Sequence, residues 1–194
     1  SIAKNTAWLW LGQIGSQIIR TLIIIYATRV LGAAGYGAFA NAVGITGFFI
    51  IFSDLGLNTI LVRESAKNEK RNQYIATAFL IKLTLVLLGF LIIVAIGPSL
   101  TKVALAKELI PLVALVFALD ALKDFGISLA RSLEKMEIEA FASISGSLVM
   151  AVSAIFLFRV SATPIHLVYA YLAGSAWALL LTIILEKEYF KNLK

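Results

Sequence analysis

Three stretches of this chain run for about twenty residues or more without a charged side chain. They cover residues 31–53, 140–158 and 160–185, which are 23, 19 and 26 residues long. A helix needs about 20 apolar residues to cross the hydrocarbon core of a bilayer. Hydrophobic residues make up 60% of the chain and charged residues 14%, whereas a soluble domain is nearer one quarter charged. The sequence therefore predicts a membrane protein.

The apolar segments are predicted to be helices, because only helices and closed barrels satisfy every backbone hydrogen bond within lipid. Membrane barrels need short strands of alternating polarity, and the sequence has none. We predict an all-α integral membrane chain in which residues 1–194 form a single six-helix transmembrane bundle. The predicted spans are residues 6–30, 35–61, 73–97, 109–132, 140–159 and 164–185.

Local signals separate these spans, and the loops between them predict an orientation. Gly32 opens the first loop, Gly97-Pro98 stops the third span, and Thr163-Pro164 is typical of a helix start. Lysine and arginine in the loops are biased towards one side. Ten lie on the predicted cytoplasmic side: Lys4, Arg63, Lys67, Lys70, Arg71, Arg131, Lys135, Lys187, Lys191 and Lys194. Four lie on the other: Arg29, Lys102, Lys107 and Arg159. We expect a multi-pass protein of the cytoplasmic membrane with both termini inside the cell.

Ionisable side chains inside the predicted spans are the first candidates for function. They are Arg20, Lys82, Asp120, Lys123 and Asp124. A charge at the bilayer centre costs about 2.5–3.5 kcal/mol on insertion scales. Such groups normally face the bundle interior or a water-filled cavity. The three cations outnumber the two acids, which favours an anionic ligand such as a phosphate.

The first span adds polar groups to this set. Gln13, Gln17 and Arg20 share one helix face, at spacings of four and three. We predict a substrate-binding set of Arg20, Lys82, Lys123, Gln13 and Gln17. Asp120 and Asp124 are predicted to adjust the electrostatic field around these residues or to bind a coupling cation.

Internal pairing is the alternative for the charged residues. Asp120 would then pair with Lys123 or Arg20, and Asp124 with Arg131, while Lys82 would extend towards the cytoplasm. A metal site at the two aspartates is disfavoured because Lys123 lies beside them. We predict no metal, no cofactor and no catalytic residue. The net charge of +6 is assigned to membrane loops, so no nucleic-acid partner is expected.

Two further patterns have a structural interpretation and a functional one. Asp54, Arg63 and Glu64 at the end of the second span could form an ion-pair network that fixes the loop or acts as a gate. Small residues recur at four-residue spacing, as at Gly12 and Ser16, and in the fifth and sixth spans. This spacing favours close helix packing. The alternative is that Gly44 and Gly47 let the second span bend.

Three stretches carry a resemblance to a known family. They are "RVLGAAGYGAFA" at residues 29–40, "DLGLNTILVRE" at residues 54–64, and "ARSLEKMEIEAFASISGSL" at residues 130–148. In order and spacing they resemble the polysaccharide flippases of the multidrug/oligosaccharidyl-lipid/polysaccharide superfamily, which move polyprenyl-pyrophosphate-linked sugars such as O-antigen units. The resemblance implies two six-helix lobes around a cationic cavity that opens alternately to each side. Six spans correspond to the N-terminal lobe alone.

The expected function is therefore a flippase lobe and not an enzyme. The expected partners are a polyprenyl-linked glycan, membrane lipid, and a second lobe or homodimer partner. Two alternatives stay open: a cation-coupled multidrug exporter of the sister branch, and a non-transporting membrane scaffold or fragment.

Overall fold

The computed structural model describes residues 2–54, 58–60 and 71–191, and this part of the chain is helical without any strand. The all-α prediction is confirmed for it. The elements are α1 (Ile2–Asp54), α2 (Arg71–Ile96), a short 3₁₀ helix η1 (Gly97–Leu100), α3 (Ala104–Ser132), α4 (Met136–Val160) and α5 (Pro164–Lys191).

Helix α1 is broken at Gly32, which divides it into a first arm (residues 2–31) and a second arm (residues 33–54). Gly32 has φ 68° and ψ 177°, a backbone conformation that is essentially restricted to glycine. A straight helix would place Arg20 and Gly44 about 36 Å apart, yet both line one cavity. The chain therefore reverses direction at Gly32, and the two arms form a helical hairpin.

The other helix breaks also follow from local chemistry. Helix α2 ends at Ile96, and Pro98 lies in the first turn of η1. Helix α5 begins at Pro164, where a fixed φ and a missing N–H suit the first helical position. The turn between α3 and α4 holds Glu134 at φ 58°, a left-handed conformation that is uncommon for residues other than glycine.

Within the described residues, four helical segments are long and apolar enough to cross a membrane. They are Ala3–Phe48, Tyr74–Leu100, Met136–Val160 and Pro164–Lys187. The first of these segments covers most of both arms of α1. Helix α3 does not qualify, because Asp120, Lys123 and Asp124 interrupt its apolar sequence. The outward face of α2 exposes leucines, among them Leu80 and Leu91, as expected for a surface in contact with lipid chains. The protein is therefore a membrane protein.

The core lies between α1, α3, α4 and α5, where small residues bring helix backbones close together. A Cβ on Gly12 would lie 2.7 Å from the Cα of Ala140, and one on Gly174 would lie 2.7 Å from the backbone oxygen of Gly146. These glycines therefore have the packing role expected of a small-residue stripe. By contrast, a Cβ on Gly44 or Gly47 would meet no atom of the described residues within 4 Å, so neither is required for packing against that part of the chain.

The α4–α5 contact gives a stability prediction. Gly174→Ala is expected to be less stable than the matched Gly89→Ala variant by about 1–3 kcal/mol, the usual cost of overpacking. At Gly174 the new methyl meets the Gly146 oxygen and the Met150 Cβ, whereas at Gly89 it meets no atom of the described chain within 4 Å. Both variants gain the same helix propensity, so their difference isolates the packing cost. Denaturant titration in detergent micelles measures it, and equal stability of the two variants would contradict the tight helix contact.

Candidate functional site

A cavity of about 400 Å³ lies between both arms of α1 and helices α3, α4 and α5. Its wall is mainly apolar, with contributions from Ile24, Phe39, Val43, Val116 and Met150. The polar side chains on the wall are Arg20, Tyr36, Asp120, Lys123, Ser143, Ser147, Tyr171 and Ser175. Helix α2 contributes no residue to this lining within the part of the chain described.

Arg20 lies on the cavity wall at the level of the α1–α4 contact. Its Nε donates a hydrogen bond to the Oγ of Ser147 at 3.4 Å, and Ser147 is buried. No carboxylate forms an ion pair with Arg20 among the described residues. A guanidinium has five N–H donors, so most of the hydrogen-bonding capacity of Arg20 is available to a ligand in the cavity.

Lys123 is buried and is held by two carboxylates. Its Nζ lies 3.0 Å from Asp120 and 3.4 Å from Asp124. The pairing of Asp120 with Lys123, the alternative left open by the sequence, is therefore observed. Asp124 pairs with Lys123, whereas Arg131 donates two hydrogen bonds to Glu139 on α4. The positive charge of Lys123 is therefore compensated by neighbouring carboxylates, whereas Arg20 has no carboxylate partner among the described residues.

Lys82 on α2 is 1% exposed and is not part of the cavity wall. It lies close enough to Asp124 for an electrostatic interaction. Arg20, in turn, lies within electrostatic range of Lys123. The structure thus brings Arg20, Asp120 and Lys123 together at the cavity, whereas Lys82 lies outside the cavity wall and interacts with Asp124.

Gln13 and Gln17 line a second concavity, an open groove along the first arm of α1. Trp10, Ser16, Arg20 and Ser143 also line this groove. Both glutamines are exposed, and neither side-chain amide makes a hydrogen bond to the rest of the described chain. Arg20 and Ser143 border the groove and the cavity alike, so the two spaces adjoin.

The predicted network of Asp54, Arg63 and Glu64 lies outside the described residues. Asp54 ends α1, but its side chain is not described, and neither Arg63 nor Glu64 is among the described residues. The loop or gate interpretation of these three residues stays a prediction.

Sequence reasoning missed several polar and aromatic residues of the cavity. Tyr171 packs against Phe39 with ring centroids 5.4 Å apart, and Phe39 packs against Tyr36 at 6.0 Å. Ser143 and Ser147 belong to the small residues of the fifth predicted span, which the sequence pattern predicts as packing positions. Their four-residue spacing on one face of an apolar helix was the available signal, because it also places two hydroxyls side by side.

The sequence model of a family described as "Polysaccharide biosynthesis protein" matches residues 2–194. No curated protein and no solved structure matches the chain.

Proposed function

The chain belongs to the polysaccharide biosynthesis protein family, and on that premise we propose that it is one lobe of a membrane transporter that flips polyprenyl-pyrophosphate-linked oligosaccharides. Members of this family are typically membrane transporters of lipid-linked sugars. The proposal includes six membrane crossings in the cytoplasmic membrane, with both termini inside the cell. It also includes a non-enzymatic role, in which the lipid-linked sugar is moved and not altered.

The proposal rests mainly on the position of Arg20. It is a cation without an ionic partner in the described part of the chain, on the wall of a mainly apolar cavity in a membrane protein. Charged groups within membrane helices mark substrate or ion pathways, since lipid makes them costly to retain otherwise. Arginine binds phosphate through two parallel N–H donors. A pyrophosphate group therefore suits this position.

The neighbouring charges support an anionic ligand. Around the cavity, Arg20, Lys82 and Lys123 contribute three positive charges and Asp120 and Asp124 two negative charges, which leaves +1. Asp120 and Asp124 hold Lys123 in place and so set the field around Arg20. In this scheme Lys82 acts indirectly, by offsetting the charge of Asp124. The apolar wall accommodates the first isoprene units, while the rest of the prenyl chain stays in lipid.

Transport by this lobe requires a second lobe, which another chain, further sequence or a second copy would supply. The two lobes would rock about a central site so that it opens to one side of the membrane at a time. A multidrug exporter for cationic compounds is less compatible with the site, because Lys123 already engages both Asp120 and Asp124.

Direct binding tests the proposal. Arg20→Ala is expected to weaken binding of a polyprenyl pyrophosphate to the protein in lipid nanodiscs by about 10- to 100-fold. A hydrogen bond to a charged group contributes about 1.5–3 kcal/mol, and 1.4 kcal/mol corresponds to tenfold in affinity. Arg29→Ala is the matched control, since Arg29 lies on the same helix, is exposed and is not part of the cavity wall.

The control variant should bind as the unmodified protein does. If both variants bind the lipid with unchanged affinity, the assignment of Arg20 is wrong. If the protein instead releases a cationic dye in a cation gradient and ignores the lipid, the exporter of the sister branch is the better account.

A further inference from the structure

We propose that the groove along the first arm of α1 is a carbohydrate subsite, which binds the sugar attached to the pyrophosphate at Arg20. The inference rests on the proposed function and assigns a ligand to the neighbouring groove. Trp10, Gln13, Gln17 and Arg20 follow one another at spacings of three, four and three, which places them on one helix face. All four line the groove.

The polarity of this face requires an aqueous or protein-lined environment. Gln13 and Gln17 are exposed within a membrane helix, and their amides make no hydrogen bond within the described part of the chain. An amide that finds no hydrogen-bond partner in lipid costs several kcal/mol. The groove therefore belongs to the hydrated interior of the transporter and not to its lipid-facing surface.

The chemistry of the groove matches a sugar. Each glutamine amide offers two N–H donors and a carbonyl acceptor, and sugar hydroxyls both donate and accept hydrogen bonds. The two amides are four residues apart, so their Cβ atoms are about 6 Å apart, which lets them contact hydroxyls of one ring. Trp10, which is 62% exposed, offers a flat apolar surface with a polar N–H edge. The C–H face of a pyranose packs on such a surface.

The position of Arg20 determines where the prenyl chain, the pyrophosphate and the sugar of the ligand lie in the site. Arg20 borders both the groove and the cavity, so a pyrophosphate bound there has the apolar cavity on one side and the two amides on the other. Gln17 is about 4.5 Å and Gln13 about 10 Å along the helix axis from Arg20. At these distances the two amides can contact the sugar that is bonded directly to the phosphate. Trp10 lies about one helical turn beyond Gln13.

The test compares two lipids in nanodiscs: a polyprenyl pyrophosphate, and the same lipid carrying a single hexosamine. The unmodified protein is expected to bind the glycosylated lipid more tightly. The double variant Gln13→Leu, Gln17→Leu is expected to lose about tenfold in affinity for the glycosylated lipid, the equivalent of one or two net hydrogen bonds. Its affinity for the sugar-free lipid should not change. Thr28→Val, an exposed polar position on the same helix outside the groove, is the matched control.

The outcomes separate this inference from the proposed function. Arg20→Ala should weaken the binding of both lipids. Suppose that Arg20→Ala weakens both, while the double glutamine variant keeps the original ratio between the affinities for the glycosylated and the sugar-free lipid. The assignment of the carbohydrate subsite is then wrong and the flippase proposal stands. If the double variant weakens the binding of both lipids equally, the groove contacts the pyrophosphate that they share. That result also contradicts the carbohydrate subsite. Both replacements are apolar and lie on an exposed helix face, so folding of the variant is expected and can be checked by gel filtration.

Discussion

On the proposed flippase function, Arg20→Glu is expected to lower the export of surface polysaccharide by about 100-fold or more when it is expressed together with the second lobe that this function requires. The substitution replaces the cation that the proposal assigns to the pyrophosphate with a negative charge in a mainly apolar cavity. Juxtaposing like charges across an interface costs several kcal/mol, and each 1.4 kcal/mol corresponds to a factor of ten in binding. The amount of surface glycan on cells that carry only the variant protein is the measurement.

Two further variants make this result specific to the cavity. Arg20→Lys should retain part of the activity, because lysine keeps the charge but lacks the planar fork that binds a phosphate through two donors. Arg29→Glu makes the same charge change at an exposed position outside the cavity and should leave export near its normal level. Normal export by a correctly inserted Arg20→Glu protein would exclude Arg20 from the substrate path.

Arg131→Ala is expected to lower the free energy of unfolding by about 1–3 kcal/mol, because it leaves a buried carboxylate without its hydrogen-bond partner. Glu139 is 6% exposed, and it accepts hydrogen bonds from the Nε and a terminal nitrogen of Arg131. The pair joins the end of α3 to the start of α4 across the turn that contains Glu134. Denaturant titration in detergent micelles, followed by tryptophan fluorescence, measures the loss.

A double variant and a surface control test the cause of this loss. Replacing both partners, as in Arg131→Met with Glu139→Leu, should restore much of the stability, since no uncompensated charge remains buried. Arg159→Ala removes an arginine from an exposed site at the end of α4 and should change stability by less than about 0.5 kcal/mol. If Arg131→Ala behaves like Arg159→Ala, the ion pair does not secure this turn.

The pairing of Arg131 illustrates a limit of sequence reasoning. Asp124 and Arg131 are seven residues apart, which places them on one face of α3, and the sequence left a pair between them open as an alternative. In the structure Arg131 bonds Glu139 on the next helix, and Asp124 contacts Lys123. Spacing along one helix shows which residues share a face, but the partner on another helix depends on how the turn between them is folded.

Lys82 and Arg20 show the same limit at the candidate site. Both were predicted to face one cavity, because each is a cation near the middle of an apolar segment. In the structure Arg20 lines the cavity, whereas Lys82 is buried on α2 near Asp124. Because a charge facing lipid is costly, each of these cations needs a shielded environment. The sequence does not show which cavity or which neighbouring helix provides it. The direction of a side chain within a bundle is a property of the assembled helices.

The sequence by itself determined that this chain is a helical membrane protein, since long charge-free segments and the need to satisfy the backbone in lipid permit little else. It also determined where helices break, because Gly32, Pro98 and Pro164 act on their own backbone. Only the tertiary structure decided which polar groups meet: the hairpin at Gly32 brings Arg20 beside Ser147 and the second arm of α1. Backbone conformation is set by neighbouring residues, whereas a binding site is made by residues far apart in sequence whose positions depend on every helix contact between them.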